Sequence, residues 1–252
     1  MAQPRDQDRS PRQGAEQEGR QVHRSRSVPL RVAAVLVAAL MLSASLAAAP
    51  ASRLESLDTA TVRKVFQTNT AALQDTLEIL ETAAMEEAAQ LLLAARQVIV
   101  VGVGGSGPAV AYSGNRFLLL GFKAATCTDF YLMLLAASQL SPGDVVLAIS
   151  NLGTTREIVE TVGIAREKQA RVMCITNNSL SPLARVCNPV LVTASREVTL
   201  PEEAVASLVC QIAILDALFA LMAAAQGAQA RETLKGMEEA LVKVGVMRQP
   251  AK

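Results

Sequence analysis

The sequence predicts an α/β protein, a five-stranded parallel sheet sandwiched between two layers of helices. Three observations predict it. Five short runs rich in Val, Ile and Ala lie between residues 98 and 192. Segments that can form crossover helices separate them. The runs are continuously apolar rather than alternating, as strands covered on both faces must be.

Two helices precede the sheet. Asp58 or Thr59 can cap the first, whose apolar positions Val62, Val65, Phe66, Leu73, Leu77 and Leu80 recur at helical spacing. Thr82 can cap the second, to about residue 95. Strands are predicted over 98–101, 124–128, 145–149, 172–175 and 190–192, with crossover helices over 108–120, 130–139, 155–169 and 182–186. A long helix over 203–225 carries Val205, Leu208, Val209, Ile212, Leu215, Phe219 and Met222 on one stripe, and an amphipathic helix follows over 230–244. Their apolar faces must cover the sheet or a partner subunit.

Composition narrows the function. The chain of 252 residues is 51% hydrophobic, which excludes disorder overall, and 3% aromatic with no Trp, which argues against a base-stacking nucleic-acid binder. Lys and Arg number 24 against 23 Asp and Glu, a net charge of +1. Seven of those Arg and four of the acids fall in residues 1–31, net +3, leaving the rest of the chain at −2. Cys127, Cys174, Cys187 and Cys210 have no C-x-x-C spacing and no neighbouring His, and read as small buried hydrophobes of a cytosolic protein. His23 is the one histidine and sits in a polar segment, so His-based catalysis and His-metal sites are not expected; no metal or cofactor is predicted.

The organisation follows. Residues 1–31 read as a disordered basic N-terminus, 32–56 as an Ala-rich apolar segment and linker, 57–245 as the folded domain and 246–252 as a tail. Residues 32–49 carry no charge. They fit an export signal or membrane anchor, a docked Ala-rich helix, or a stretch that is not the natural start of the protein.

Two turns carry the chemistry. The first, Gly102-Val103-Gly104-Gly105-Ser106-Gly107-Pro108, follows the first strand and opens a helix. Glycines let backbone N–H groups approach an anion, and the helix dipole favours it. Gly102, Gly104 and Gly107 fit the dinucleotide spacing G-x-G-x-x-G, but no acidic residue ends the second strand to hold a ribose. The second turn, Ile149-Ser150-Asn151-Leu152-Gly153-Thr154-Thr155, follows the third strand. Thr154 and Glu157 fit a capping box, while Ser150, Asn151 and Thr155 can line an anion pocket. Two such turns on neighbouring strands converge on one crevice, so a phosphate-bearing small ligand is expected.

These residues resemble a family. VVGVGGSG, TDFYLMLLAASQLSPGDVVLAISNLGTTREI, VMCITNNSLSPLARVCNPVLVT and EEAVASLVCQIAILDALFAL occur in the order seen in sugar isomerase (SIS) domains, and most resemble RpiR-type transcriptional regulators. The resemblance runs from about Asp58 to Lys243. It implies a three-layer sandwich, a homodimer or homotetramer, and a phosphorylated sugar or amino sugar as effector. It implies ligand-binding roles for Gly104, Gly105, Ser106, Ser150, Asn151, Gly153, Thr154, Thr155 and Glu203, the last where relatives approach the sugar. The chain departs from the family twice. The phosphate loop usually reads S-x-S-G-x-T, and here Leu152 replaces the second Ser. Residues 1–56 show no helix-turn-helix, so DNA binding is expected only if a domain not recognisable here supplies it.

The main reading is a cytoplasmic phosphosugar-binding domain of an RpiR-like regulator of sugar metabolism, not an enzyme. A phosphosugar isomerase or amino-sugar-phosphate lyase is the alternative. It needs an acid/base pair, for which the candidates are Glu203, Glu202, Asp129 and Lys123. A membrane-tethered phosphosugar-binding protein, anchored through residues 32–49, is the third.

Overall fold

The computed structural model describes residues 59–195 and 206–246. Two helices, α1 (Thr59–Ile79) and α2 (Thr82–Leu93), lead into β1 (Gln97–Val101). Then follow α3 (Gly107–Leu119), β2 (Ala124–Cys127), α4 (Phe130–Ser138), β3 (Asp144–Ile149), α5 (Arg156–Glu167), β4 (Arg171–Thr176) and β5 (Val190–Val192). Helices α6 (Ala206–Gln226) and α7 (Ala228–Lys243) close the fold.

All neighbouring strands pair in parallel, in the order β2-β1-β3-β4-β5. Strand side chains alternate in direction, and both sets are apolar, so the sheet has two cores. Val98, Val100, Val145, Leu147, Ile149, Met173 and Ile175 face α2, α3 and α6. Ile99, Val101, Val146, Ala148, Val172 and Cys174 face α4 and α5. This is the three-layer α/β/α sandwich that the continuous apolar runs predict. Phe117 of α3 meets Phe219 of α6 edge to face, with ring centroids 4.9 Å apart, a geometry worth about 0.5–1.5 kcal/mol beyond burial.

The N-terminal ends of the strands are stitched by one buried carboxylate. Arg96 donates to both oxygens of Asp144, at 2.9 and 2.6 Å, and Gln97 Nε2 and the Ser141 backbone N–H add bonds at 3.0 and 2.8 Å. Burial pushes the Asp144 carboxyl up, but these donors outweigh it and hold it below the ordinary carboxylate value.

Four local expectations are corrected. Thr82 lies inside α2, and Glu81 is its N-cap, with no side-chain cap bond. The helix expected over 182–186 is a single 3-10 turn, Ala184–Val186. Between β4 and that turn, Thr176 Oγ1, Asn178 Oδ1 and Ser181 Oγ accept from the backbone N–H groups of Asn178, Leu180 and Ala184, which competes with a helical ladder. The stripe read on α6 is wider than drawn. Cys210, Gln211, Ile214 and Leu218 are buried with Leu215, Phe219 and Met222, because the helix is apolar nearly all round. That helix is long and apolar enough to cross a membrane, but here it packs on the sheet. On α1, Ala72 and Thr76 are the buried positions, whereas Val62, Phe66 and Leu77 are exposed. Asp58 and residues 1–57, with the apolar run 32–49, lie outside the described residues.

Candidate functional site

The connection after β1 leads to β2 on one side, and that after β3 leads to β4 on the other. The C-terminal ends of β1 and β3 therefore flank a switch point, where open parallel sheets hold ligands. Both Gly-containing turns lie there.

The first turn begins with Gly102. A Cβ at this position would lie 2.8 Å from the Ile149 carbonyl oxygen and 2.8 Å from Val110 Cγ2. Only glycine lets β1, β3 and α3 meet so closely. A 3-10 turn, Gly104–Ser106, then feeds α3, with Pro108 in the first helical turn. Ser106 is the N-cap of α3, yet its side chain makes no cap bond. Instead its Oγ accepts from Gln211 Nε2 of α6, at 3.3 Å.

The second turn is rigid. Ser150 Oγ accepts from the Gly153 N–H at 3.2 Å and lies 3.3 Å from Thr155 Oγ1. The Asn151 carbonyl accepts from the Asn177 N–H at 2.9 Å and from Thr176 Oγ1 at 3.1 Å. Gly153 holds φ +64°, the left-handed region that a side chain disfavours. The capping box expected from Thr154 and Glu157 does not form. The N-cap is Thr155, whose side chain makes no cap bond. Its hydroxyl can thus turn to a ligand.

Between the turns lies a cavity of about 270 Å³. Gly105 and Ser106 line it from the first turn, Ser150, Asn151, Leu152 and Thr155 from the second, and Ser207 from α6. Among the described residues, no charged side chain lines it. Two helix N-termini, those of α3 and α5, open beside it. The site can hold an anion through hydroxyls, backbone N–H groups and helix dipoles. Gly104, Gly153 and Thr154 shape the turns without lining the cavity. Glu203 and Glu202 lie outside the described residues. Sequence reasoning missed Ser207 and Gln211. Their signal is four-residue spacing of polar side chains inside the apolar run SLVCQIAIL.

The acid/base candidates fare differently. Asp129 Oδ1 caps α4 by accepting from the Leu132 N–H at 3.0 Å. Lys123 immediately precedes β2, at the end of the sheet opposite the cavity. All four cysteines are buried and free. A hydrogen bond with the Cys187 thiol, and burial, push the Cys174 thiol far up, so it stays protonated. A second concavity, about 410 Å³, runs beside β5. One of its lining carboxylates, Glu87, is bonded to Asn188 Nδ2, and neither Gly-containing turn reaches it.

Comparison with known proteins settles the family. The SIS domain profile matches residues 91–221. The chain belongs to the SIS-domain family. Its SIS domain resembles those of helix-turn-helix regulators. Over 162 residues it is 29% identical to the transcriptional regulator RpiR of Escherichia coli, covering 64% of this chain and 55% of that protein. Over 185 residues it is 29% identical to HexR of Pseudomonas aeruginosa, covering 71% and 63%. The chain thus spans a little over half the length of the curated relatives it matches. Among solved structures, the sugar isomerase domain of an RpiR transcription factor from Sphaerobacter thermophilus superposes with TM-score 0.65 and 27% identity, covering 73% of this chain and 99% of that one. The Vibrio vulnificus NanR protein complexed with ManNAc-6P superposes with TM-score 0.69 and 26% identity, covering 77% and 72%.

Proposed function

We propose that this SIS domain is the effector-binding part of an RpiR-like regulator of sugar metabolism, and that it binds a phosphorylated sugar or amino sugar. The observation that carries the reading is the hydroxyl-rich cavity at the switch point, whose described wall holds no charged side chain. Ser150 and Thr155 are its anion donors, beside the N-terminus of α5. Gly105, Ser106 and Asn151 complete the wall, with Gly104, Gly153 and Thr154 setting its shape and Glu203 approaching the sugar. The Vibrio relative, in complex with an amino-sugar phosphate, supports this ligand class.

The protein is a sensor rather than an enzyme in this reading. Of the four acid/base candidates, Asp129 is engaged as a cap and Lys123 is at the wrong end of the sheet. We take it to work in the cytoplasm as a homodimer or homotetramer, with operator contact made by a separate DNA-reading domain. The test is a thermal-shift panel of hexose and hexosamine 6-phosphates, with turnover followed in parallel. Ligand at 100 times its dissociation constant adds about 2.7 kcal/mol of stability. A shift with one or more sugar phosphates and no turnover is expected. Turnover would favour the isomerase reading, and no shift with any sugar phosphate would overturn the ligand class.

A further inference from the structure

Gln211 is the one Gln, Asn or charged residue in the stretch of α6 that faces the sheet, and it is 1% exposed. An amide is costly to bury among Cys210, Ile214 and Leu215 unless its polar atoms are used. Its Nε2 donates to Ser106 Oγ across from the first turn, at 3.3 Å. Its Oε1 has no hydrogen-bond partner among the described residues. Ser106 is itself 6% exposed, lines the cavity and makes no cap bond.

A serine hydroxyl has one proton and two lone pairs. With one lone pair taken by the Gln211 amide, Ser106 keeps its O–H and a second lone pair, and the Gln211 N–H excludes the Ser106 proton from its own direction. The proton is thereby confined to the directions away from Gln211, where it can donate into the cavity. Ser150 and Thr155, on the other turn, sit at the N-terminus of α5 and suit the phosphate. The Ser106 donor stands on the opposite turn of the same cavity.

We propose that Gln211 is a positioning residue that fixes the Ser106 hydroxyl as a hydrogen-bond donor to an oxygen of the sugar rather than of the phosphate, so that α6 sets selectivity for the sugar part of the ligand. The inference rests on the phosphosugar reading and deepens it. It assigns the discrimination between sugar phosphates to a residue that does not itself line the cavity.

The test is calorimetric, on the full chain, with glucose 6-phosphate, fructose 6-phosphate, N-acetylmannosamine 6-phosphate and inorganic phosphate as probes. Gln211→Met keeps the length and removes the amide. It is expected to weaken the best-binding sugar phosphate about tenfold and to leave inorganic phosphate unchanged. Gln211→Glu replaces the donor with an acceptor that draws the Ser106 proton away from the ligand, and is expected to weaken the sugar phosphate further. The double variant Ser106→Ala/Gln211→Met is expected to bind no worse than Ser106→Ala, because Gln211 acts through that hydroxyl. A merely structural role would lower affinity for sugar phosphate and inorganic phosphate together, and that result overturns the proposal. So does unchanged sugar-phosphate affinity in both Gln211 variants, or additive losses in the double variant. Should the wild-type chain bind no sugar phosphate, the functional reading itself falls, and the positioning role with it. Should wild type bind and the Gln211 variants match it, only the positioning role falls.

Discussion

Gly153→Ala isolates what the second turn costs to build. The residue holds φ +64°, so a methyl group there is strained in any surroundings. Left-handed backbone costs a non-glycine residue roughly 1–2 kcal/mol. The surroundings add to it. The new Cβ would lie 2.6 Å from Ser181 Cβ and 3.0 Å from Thr176 Oγ1. Neither neighbour yields freely. Ser181 is buried and its Oγ accepts from the Ala184 N–H at 3.2 Å, while Thr176 Oγ1 donates to the Asn151 carbonyl at 3.1 Å. Overpacking of this kind costs about 1–3 kcal/mol. The total expected is thus about 2–5 kcal/mol, read from the midpoint of urea unfolding. Ser181→Gly in the same chain tests the division. It removes the Ser181 clash and leaves the backbone strain and the Thr176 contact, so the double variant should recover most of the roughly 1–3 kcal/mol of overpacking relative to additivity. A Gly153→Ala chain within about 0.5 kcal/mol of wild type, the range of ordinary surface changes, would refute the argument that this turn demands glycine.

Three further outcomes are expected. Ser150→Ala should weaken a sugar phosphate about tenfold or more, since a hydrogen bond to a charged group is worth about 1.5–3 kcal/mol, with little change in thermal stability; unchanged affinity in a binding titration would remove Ser150 from the site. Leu152→Ser should tighten binding by on the order of 1 kcal/mol without unfolding the chain, because Leu152 is 50% exposed at the cavity wall; weaker binding would mean that its side chain packs against the ligand. Asp144→Asn should destabilise the fold by about 1.5–3 kcal/mol, the scale of hydrogen bonds to a buried charged group, since the partner Arg96 is itself 60% exposed. The folded Asp144 carboxyl lies below its unfolded value of about 3.9, so its contribution is complete above that value and fades as pH falls through the folded one. Wild type should therefore lose more stability than Asp144→Asn as acid is added below about pH 4, and parallel acid-denaturation curves would contradict the assignment.

The fold was legible because the central strands β1, β3 and β4 are buried on both faces. Runs such as DVVLAI and RVMCIT need no alternation to be recognised, and their turns place them in order. What escaped was local. Glu81 and Thr155 became N-caps without side-chain cap bonds, so neither capping signal marked its helix start. The turn after β4 is held by side-chain bonds from Thr176, Asn178 and Ser181, and a reading of apolar periodicity does not weigh these. At the site, the two Gly-containing turns were legible because glycine and hydroxyl residues cluster right after strands. Ser207 and Gln211 were not, because their relevance depends on α6 crossing the same end of the sheet.

The described residues of the cavity wall carry no charged side chain, and that has a kinetic consequence. An anion bound through hydroxyls and peptide dipoles meets no cationic side chain among the described wall residues, and the chain beyond residue 31 carries a slight negative excess, 17 basic against 19 acidic groups. Encounter then rests on unaided diffusion, without the 10- to 1,000-fold gain, to order of magnitude, that a steering field gives. The rate at which the cavity fills should hardly vary with ionic strength, because there is little field to screen. On the reading proposed above, a site built this way fills in proportion to the effector present and is largely deaf to the salt content of its surroundings.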